Sequence, residues 1–181
     1  MKIAFAGGSG TGKTTLAEAY AQHRGIPSIP EFARDILVEW GLDSPGDLTP
    51  EQGVYYSQEI LRRKIQAEDA SSSFVSDRSS IDHAALWLRW NTDESIVEPS
   101  VTREFIEKCI SRANVYDHIF LLKVGDIPYE KDGVRGSYAF QLGIEATIVG
   151  ILVLHRIPFT ILPSAVNTVE KRIRYLDYLY P

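Results

Sequence analysis

The hydrophobic and polar positions of this chain form two alternating patterns, short apolar runs and longer stretches with helical spacing. The first run, Lys2 to Ala6, is almost entirely apolar, as expected of a strand that is buried on both faces of a sheet. The predicted strands cover residues 2–6, 27–29, 74–76, 118–124 and 158–162. The predicted helices cover residues 13–24, 32–40, 50–70, 81–90, 98–113, 137–155 and 166–179.

Helix start signals support these boundaries. Thr49 is suited to cap the third helix, with Pro50 at its first position and Gln52 as the partner in a capping box. Strands that alternate with helices pair in parallel through right-handed crossovers. The sequence therefore predicts a three-layer α/β fold with a five-stranded parallel sheet. No repeat or long linker divides residues 1–181, and we interpret them as one domain.

Composition narrows the class of protein. The chain has 181 residues, of which 44% are hydrophobic and 24% charged, as is ordinary for a soluble globular protein. The apolar N-terminal stretch is too short for a signal peptide, no apolar run is long enough to cross a membrane, and the single cysteine, Cys109, excludes a disulfide framework. We therefore expect a cytoplasmic protein. The net charge of −5 disfavours a dedicated nucleic-acid binder.

Residues 7–14, Gly-Gly-Ser-Gly-Thr-Gly-Lys-Thr, match the phosphate-loop pattern G-x-x-x-x-G-K-[ST] at every required position. Glycines let the backbone approach phosphates closely, and successive N–H groups at a helix N-terminus bind the anion. Lys13 is predicted to contact the β- and γ-phosphates of ATP, and Thr14 the accompanying Mg²⁺. The predicted ATP site comprises Gly8, Ser9, Gly10, Thr11, Gly12, Lys13, Thr14 and Thr15.

Asp77 follows the predicted strand 74–76 directly. An Asp at the end of a strand that neighbours a phosphate loop reaches the magnesium ion in proteins of this kind. The alternative is that Asp77 caps the next helix, a position where Asp is favoured. Because Ser79 or Ser80 is equally suited to that cap, we assign Asp77 to the metal site together with Thr14.

Two short motifs carry a family resemblance. Asp77-Arg78-Ser79 resembles the corresponding motif of deoxynucleoside kinases and thymidylate kinases, and residues 30–34, Pro-Glu-Phe-Ala-Arg, resemble a segment of bacterial nicotinamide riboside kinase domains. The resemblance implies that Glu31 takes the proton of the attacking hydroxyl. It also implies that Arg78 contacts substrate phosphate or steadies the catalytic carboxylate, and that Arg34 shares the substrate site. The alternatives are helix-dipole compensation for Glu31 and a solvated surface position for Arg34.

The same kinases carry a helical lid after the fourth strand, and we place it at about residues 126–138. Residues 129–137 are polar and contain two glycines, as a lid that excludes water requires. Arg135 is the first choice for stabilising charge on the transferring phosphate, and Lys131 the second. The alternative is a mobile charged loop without a catalytic part.

The resemblance covers nearly the whole chain and implies an ATP:acceptor phosphotransferase with the P-loop kinase fold. Such an enzyme is expected to transfer the γ-phosphoryl group to a hydroxyl or phosphate of a nucleoside- or nucleotide-type small molecule. The acceptor stays open, since no Asp-Pro-Gly-type thymidylate loop is present. One alternative is a kinase of 5-hydroxymethyluracil in phage DNA, and an alternative of another class is a regulatory P-loop NTPase. No switch loop or guanine-reading N-K-x-D sequence supports the latter.

Other conspicuous residues are assigned to structure. Trp87 and Trp90, three apart in a predicted helix, are expected in the core, with a substrate-pocket wall as the alternative. Residues 62–64, Arg-Arg-Lys, are expected on a solvated helix face, with contact to phosphate as the alternative. The tyrosines near the C-terminus are assigned either to packing of the last helix or to a subunit interface, which leaves a homodimer open. They are Tyr175, Tyr178 and Tyr180.

Overall fold

The computed structural model describes residues 1–128 and 136–180. Its strands are β1 (Lys2–Ala6), β2 (Ser28–Ile29), β3 (Phe74–Asp77), β4 (His118–Leu121) and β5 (Phe159–Ile161). Its helices are α1 (Lys13–Arg24), α2 (Ala33–Glu39), α3 (Pro50–Asp69), α4 (Ser80–Trp90), α5 (Pro99–Ala113), α6 (Tyr138–Leu154) and α7 (Val169–Leu179). A short 3-10 helix spans Pro45–Asp47. None of these helices is long and apolar enough to cross a membrane.

The five strands pair in parallel in the order β2-β3-β1-β4-β5, which confirms the predicted sheet. Alternate residues of β1 enter two different cores. Ala4 and Ala6 pack in the cluster that contains residues of α3 to α6, whereas Ile3 and Phe5 pack in the cluster with α1 and α7. Helices therefore cover both faces of the sheet, as in the predicted three-layer arrangement.

Two element boundaries differ from the prediction for local reasons. Strand β4 ends at Leu121 instead of 124, because the neighbouring β1 ends at Ala6 and the chain turns away at Gly7. A Cβ on Gly7 would lie 2.3 Å from the Leu122 carbonyl oxygen, so only glycine allows this close approach. Helix α7 begins at Val169 instead of 166, because the Thr168 side chain caps it through the Lys171 amide.

Two of the structural assignments from sequence are wrong in part. Trp87 is fully buried and stacks on Phe105, but Trp90, the last residue of α4, is 64% exposed and lies beside Phe140 of α6. Lys64 is 1% exposed instead of solvated, because it donates to the main chain at the end of β3, whereas Arg62 is exposed and Arg63 pairs with Glu39 of α2.

Two of the three C-terminal tyrosines pack with the last helix, as the first of the two assignments expects. Tyr175 and Tyr180 pack partly against the core formed with α1 and α7, whereas Tyr178 is exposed.

The buried face of α3 carries a polar network around Glu68. The Glu68 carboxylate accepts hydrogen bonds from the Ser76 hydroxyl (2.7 Å), the Tyr116 hydroxyl (2.9 Å) and Arg112 Nε (2.9 Å), and it lies 4.0 Å from Lys64 Nζ. Lys64 in turn donates to the main-chain oxygen of Asp77 at 2.6 Å. The network therefore ties α3 and α5 to the end of β3.

We expect Glu68→Ala to lower the free energy of unfolding by about 3–5 kcal/mol, because it leaves Arg112 and Lys64 without their buried counter-charge. Asp69→Ala is the matched control, since Asp69 also pairs with Arg112 but is largely exposed. Its expected loss is about 0–1 kcal/mol. Denaturant unfolding of both variants measures the difference, and equal losses would contradict the assignment.

Candidate active site

The glycine-rich loop connects the end of β1 to the start of α1. Gly10 and Gly12 have φ angles of 80° and 82°, in the left-handed region that side chains disfavour. Gly12 is also the N-cap of α1, so the loop ends on the positive pole of that helix. Loop and helix together present backbone N–H groups to an anion, which is the geometry that the sequence pattern predicts.

Lys13 folds back over this loop. Its ammonium group donates to the Gly8 carbonyl oxygen at 2.6 Å and to Thr11 Oγ1 at 3.4 Å. Burial and the nearby Arg78 charge lower the pKa of Lys13 to about 8, although Asp82 opposes the shift. A buried cation with mainly neutral partners gains most from a ligand that brings negative charge.

Thr14 and Asp77 meet beside the loop. The Thr14 hydroxyl donates to Asp77 Oδ2 at 2.6 Å, and the other carboxylate oxygen of Asp77, Oδ1, is buried with no hydrogen-bond partner among the described residues. Ser79 caps α4, forming a capping box with Asp82, so Asp77 does not serve as the cap. Oxygen donors of this type fit Mg²⁺, which is bound through few protein ligands together with substrate phosphates. Residues 1–128 and 136–180 contain no cluster of three or more acidic, His or Cys side chains as a rival metal site.

Arg78 joins the loop to the end of β2. It has a φ angle of 70°, is 5% exposed, and its Nε donates to Glu31 at 2.5 Å. The same guanidinium donates to Ser9 Oγ at 3.0 Å and lies 3.5 Å from Asp82. A left-handed non-glycine residue is strained, and such residues concentrate at functional sites. Arg78 thus brings a carboxylate to the edge of the phosphate loop.

Glu31 follows β2 and precedes α2, whose first turn contains Asp35 instead. Burial of the Glu31 carboxyl opposes its ionisation, but the charges of Arg78 and Lys13 outweigh burial and hold its pKa below the ordinary value. Glu31 is therefore ionised at neutral pH and accepts hydrogen bonds.

The remaining predicted site residues lie at exposed positions or outside the described part of the chain. Arg34 lies in the first turn of α2 and is exposed, and Thr15 is exposed on α1. Arg135 and Lys131 lie outside the described residues, as do most of the predicted lid positions between 126 and 138.

Four buried polar residues that the sequence analysis did not identify hold the backbone of the site. Two of them accept hydrogen bonds from loop amides: Asp82 from the Gly7 amide (3.0 Å) and Gln141 from the Ser9 amide (2.6 Å). The other two donate to backbone carbonyls: Lys64 to that of Asp77 (2.6 Å) and Arg172 to that of Thr11 (3.0 Å). The spacing of Ser79 and Asp82 is a capping-box signal that could have found Asp82. Gln141 stands out only as a polar residue in a mostly apolar helix, and no local pattern marks Lys64 or Arg172.

Fold and site together define an α/β P-loop nucleotide-binding protein. A family model described as an AAA domain matches residues 2–172, and the chain belongs to this family. No curated protein matches the chain significantly.

Solved structures with this fold include nucleoside and nucleotide kinases. A deoxyadenosine kinase from M. mycoides, solved with the products dCMP and dCDP, has a TM-score of 0.70 at 15% identity, over 99% of this chain and 97% of its own. NadR in complex with NR has a TM-score of 0.59 at 14% identity, over 88% of this chain and 43% of its own. YorR from Bacillus subtilis, in complex with phosphorylated GDP, has a TM-score of 0.52 at 12% identity, over 98% and 94%. These similarities confirm the predicted P-loop kinase fold.

We expect ATP binding to be accompanied by proton uptake at about pH 8.5, because phosphate charge restores the lowered pKa of Lys13 toward its ordinary value. ATP affinity should accordingly fall as the pH rises through about 8, where free Lys13 loses its proton. Calorimetry in two buffers with different ionisation enthalpies measures the uptake. In Lys13→Arg the side chain stays protonated, and an equal uptake there would assign the proton to another group.

Proposed function

We propose that this chain is an ATP-dependent kinase that transfers the γ-phosphoryl group to a nucleoside- or nucleotide-type small acceptor, most favourably to a hydroxyl group. The observation that carries the proposal is the Glu31–Arg78 pair, at 2.5 Å, which contacts the phosphate loop through Ser9. With ATP bound in the loop, this pair would set an ionised carboxylate beside the terminal phosphate. A carboxylate there can direct either an acceptor hydroxyl or a water molecule at the phosphate, and the acceptor screen below separates the two.

The donor side consists of the loop amides, Lys13 and Thr14. The loop amides and Lys13 would bind the β- and γ-phosphates in the manner of other phosphate loops. Thr14 and Asp77 would hold Mg²⁺, which when bound neutralises charge that develops on the transferring group. Asp77 supports this assignment because it has one oxygen on Thr14 and one buried oxygen without a partner.

The acceptor side is defined by Glu31. An acceptor hydroxyl that donates to this carboxylate would have its oxygen directed at the γ-phosphorus. The new bond forms between that oxygen and phosphorus as the bond to the β-phosphate bridging oxygen breaks, and ADP leaves. The hydroxyl proton passes to Glu31 or to the transferred phosphate.

Electrostatics favours a hydroxyl over a phosphate acceptor. A phosphate would bring further negative charge beside Glu31, at a corner where Asp82 is also buried. Arg78 is already paired with both carboxylates. An uncharged hydroxyl meets no such repulsion. Arg135 stays a prediction as the cation that would act on the transferring phosphate from the lid.

A phosphoryl-transfer screen with labelled ATP tests the function. We expect slow basal ATP hydrolysis and a strong increase with a nucleoside-type acceptor, because a kinase site becomes productive only with both substrates bound. The screen covers nucleosides, mononucleotides, nicotinamide riboside and DNA that contains 5-hydroxymethyluracil. Fast hydrolysis that no acceptor increases would indicate a regulatory NTPase, and transfer to the DNA alone would replace the small acceptor.

Substitution of the two carboxylates separates their roles. We expect Glu31→Gln to lower kcat by roughly 10²–10⁴-fold with little change in Mg²⁺–ATP affinity, since it acts on the acceptor. Asp77→Asn should instead raise the Mg²⁺ concentration needed for half-maximal rate. The measurements are magnesium titrations of turnover and ATP binding, with Asp35→Asn on the exposed start of α2 as the control. A shift in the magnesium requirement with Glu31→Gln but not with Asp77→Asn would reverse the two roles.

A further inference from the structure

Arg172 is a buried arginine without a buried counter-charge. It lies on α7, far along the chain from the phosphate loop, and is 2% exposed. Its Nη1 donates to the Thr11 carbonyl oxygen at 3.0 Å and its Nε to the Val166 carbonyl oxygen at 3.0 Å. Arg78, the other fully buried arginine of the described residues, pairs with Glu31 and Asp82 instead.

The charge of Arg172 is only weakly compensated. Within residues 1–128 and 136–180 no carboxylate lies at ion-pair distance from its guanidinium, and Asp126 acts on it only at longer range. Burial lowers the pKa of Arg172 for this reason, although an arginine stays protonated at neutral pH. A buried cation that donates only to neutral carbonyls is costly unless a ligand supplies the anion.

The guanidinium of Arg172 lies against the phosphate loop. A Cβ added to Gly12 would lie 3.0 Å from Arg172 Nη1, so the guanidinium packs directly against the last glycine of the loop. The positive φ already favours glycine at position 12, and a Cβ there would also crowd the guanidinium.

The hydrogen bond to Thr11 fixes the direction of one loop amide. The Thr11 carbonyl and the Gly12 N–H belong to the same peptide unit, and no peptide bond of the described chain is cis. In a trans peptide these two groups point in opposite directions. Arg172 holds the carbonyl on the α7 side, so the Gly12 N–H points away from α7, and no described residue accepts from it.

We propose that Arg172 is a positioning residue for the donor nucleotide: it orients the Gly12 amide toward the polyphosphate and adds positive charge beneath the loop. The proposal rests on the proposed function for the nature of the ligand. The ligand class is an inorganic or nucleoside polyphosphate, and the acceptor is not involved. The second hydrogen bond of Arg172, from Nε to the Val166 carbonyl oxygen, holds this orientation by attaching the guanidinium to the segment after β5.

Binding of tripolyphosphate, a ligand without a base, tests the inference directly. We expect Arg172→Met to weaken Mg²⁺–tripolyphosphate and Mg²⁺–ATP by a similar factor of roughly 10- to 100-fold, the range for a lost hydrogen bond that involves a charged group. Arg172→Lys keeps the charge but has no guanidinium group that can donate to two carbonyls, so its affinity for both ligands should lie between those of the wild type and Arg172→Met. Arg174→Met, an exposed arginine two positions along α7, is the matched control and should bind as wild type.

Kinetics and melting separate positioning from a purely structural role. An amide used equally in the ground state and the transition state affects KM for ATP more than kcat, and we expect that split for Arg172→Met and Arg172→Lys. Wild-type tripolyphosphate affinity in Arg172→Met, measured well below its melting temperature, would overturn the inference even if that temperature falls. A loss for ATP alone would also overturn it, because the effect would then lie at the base.

The binding measurements also give a clear result where a variant fails to fold or where no acceptor is found. If Arg172→Met does not fold, wild-type tripolyphosphate affinity in Arg172→Lys overturns it. The binding experiment needs no acceptor, so an acceptor screen without product refutes the proposed kinase and leaves this inference standing. Failure of the wild-type chain to bind both polyphosphates refutes the two together.

Discussion

The ion pair between Arg78 and Glu31 is the contact on which the geometry of the site depends. Parallel strands bring the ends of β1, β2 and β3 to one edge of the sheet, but they do not fix the side chains there. Arg78 does so, because one guanidinium reaches Glu31 at 2.5 Å, Ser9 at 3.0 Å and the Gly7 carbonyl at 3.4 Å. Its left-handed backbone is strained, and the Lys64 bond to the preceding carbonyl helps to hold it.

Charges at this edge are interdependent. Burial raises the pKa of Asp82, while Arg78 and Lys13 act in the opposite direction, and the same two cations hold the pKa of Glu31 down. Removal of one member leaves another buried without its counter-charge, so substitutions here will not be additive. The positive charge is greatest around the phosphate loop, where Lys13 and Arg172 both donate to backbone carbonyls. A bound polyphosphate would supply a counter-charge to both.

The sheet and the phosphate loop could be predicted from sequence because their signals are local. Apolar runs, the glycine pattern and the Thr49 capping box each lie within a few residues of the structure they specify. Lys64 and Trp90 were misassigned because helical spacing shows which residues share a face and not what covers that face. The role of Arg172 could not be predicted from sequence, because its partner Thr11 is 161 residues away and only the packing of α1 and α7 brings the two together.

The pairing that places Glu31 also limits what it can do chemically. Arg78 and Lys13 keep the carboxylate ionised, and the same charges make it a weaker base than a carboxylate in an apolar pocket. In a loose phosphoryl-transfer transition state the attacking oxygen has formed little bond to phosphorus, so it carries little positive charge and its proton is not yet acidic. Early proton removal is therefore unnecessary. In the proposed kinase, Glu31 would therefore orient the hydroxyl as a fixed, ionised hydrogen-bond acceptor and take the proton late in the transfer, and the rigid Arg78 contacts would serve that role better than high basicity.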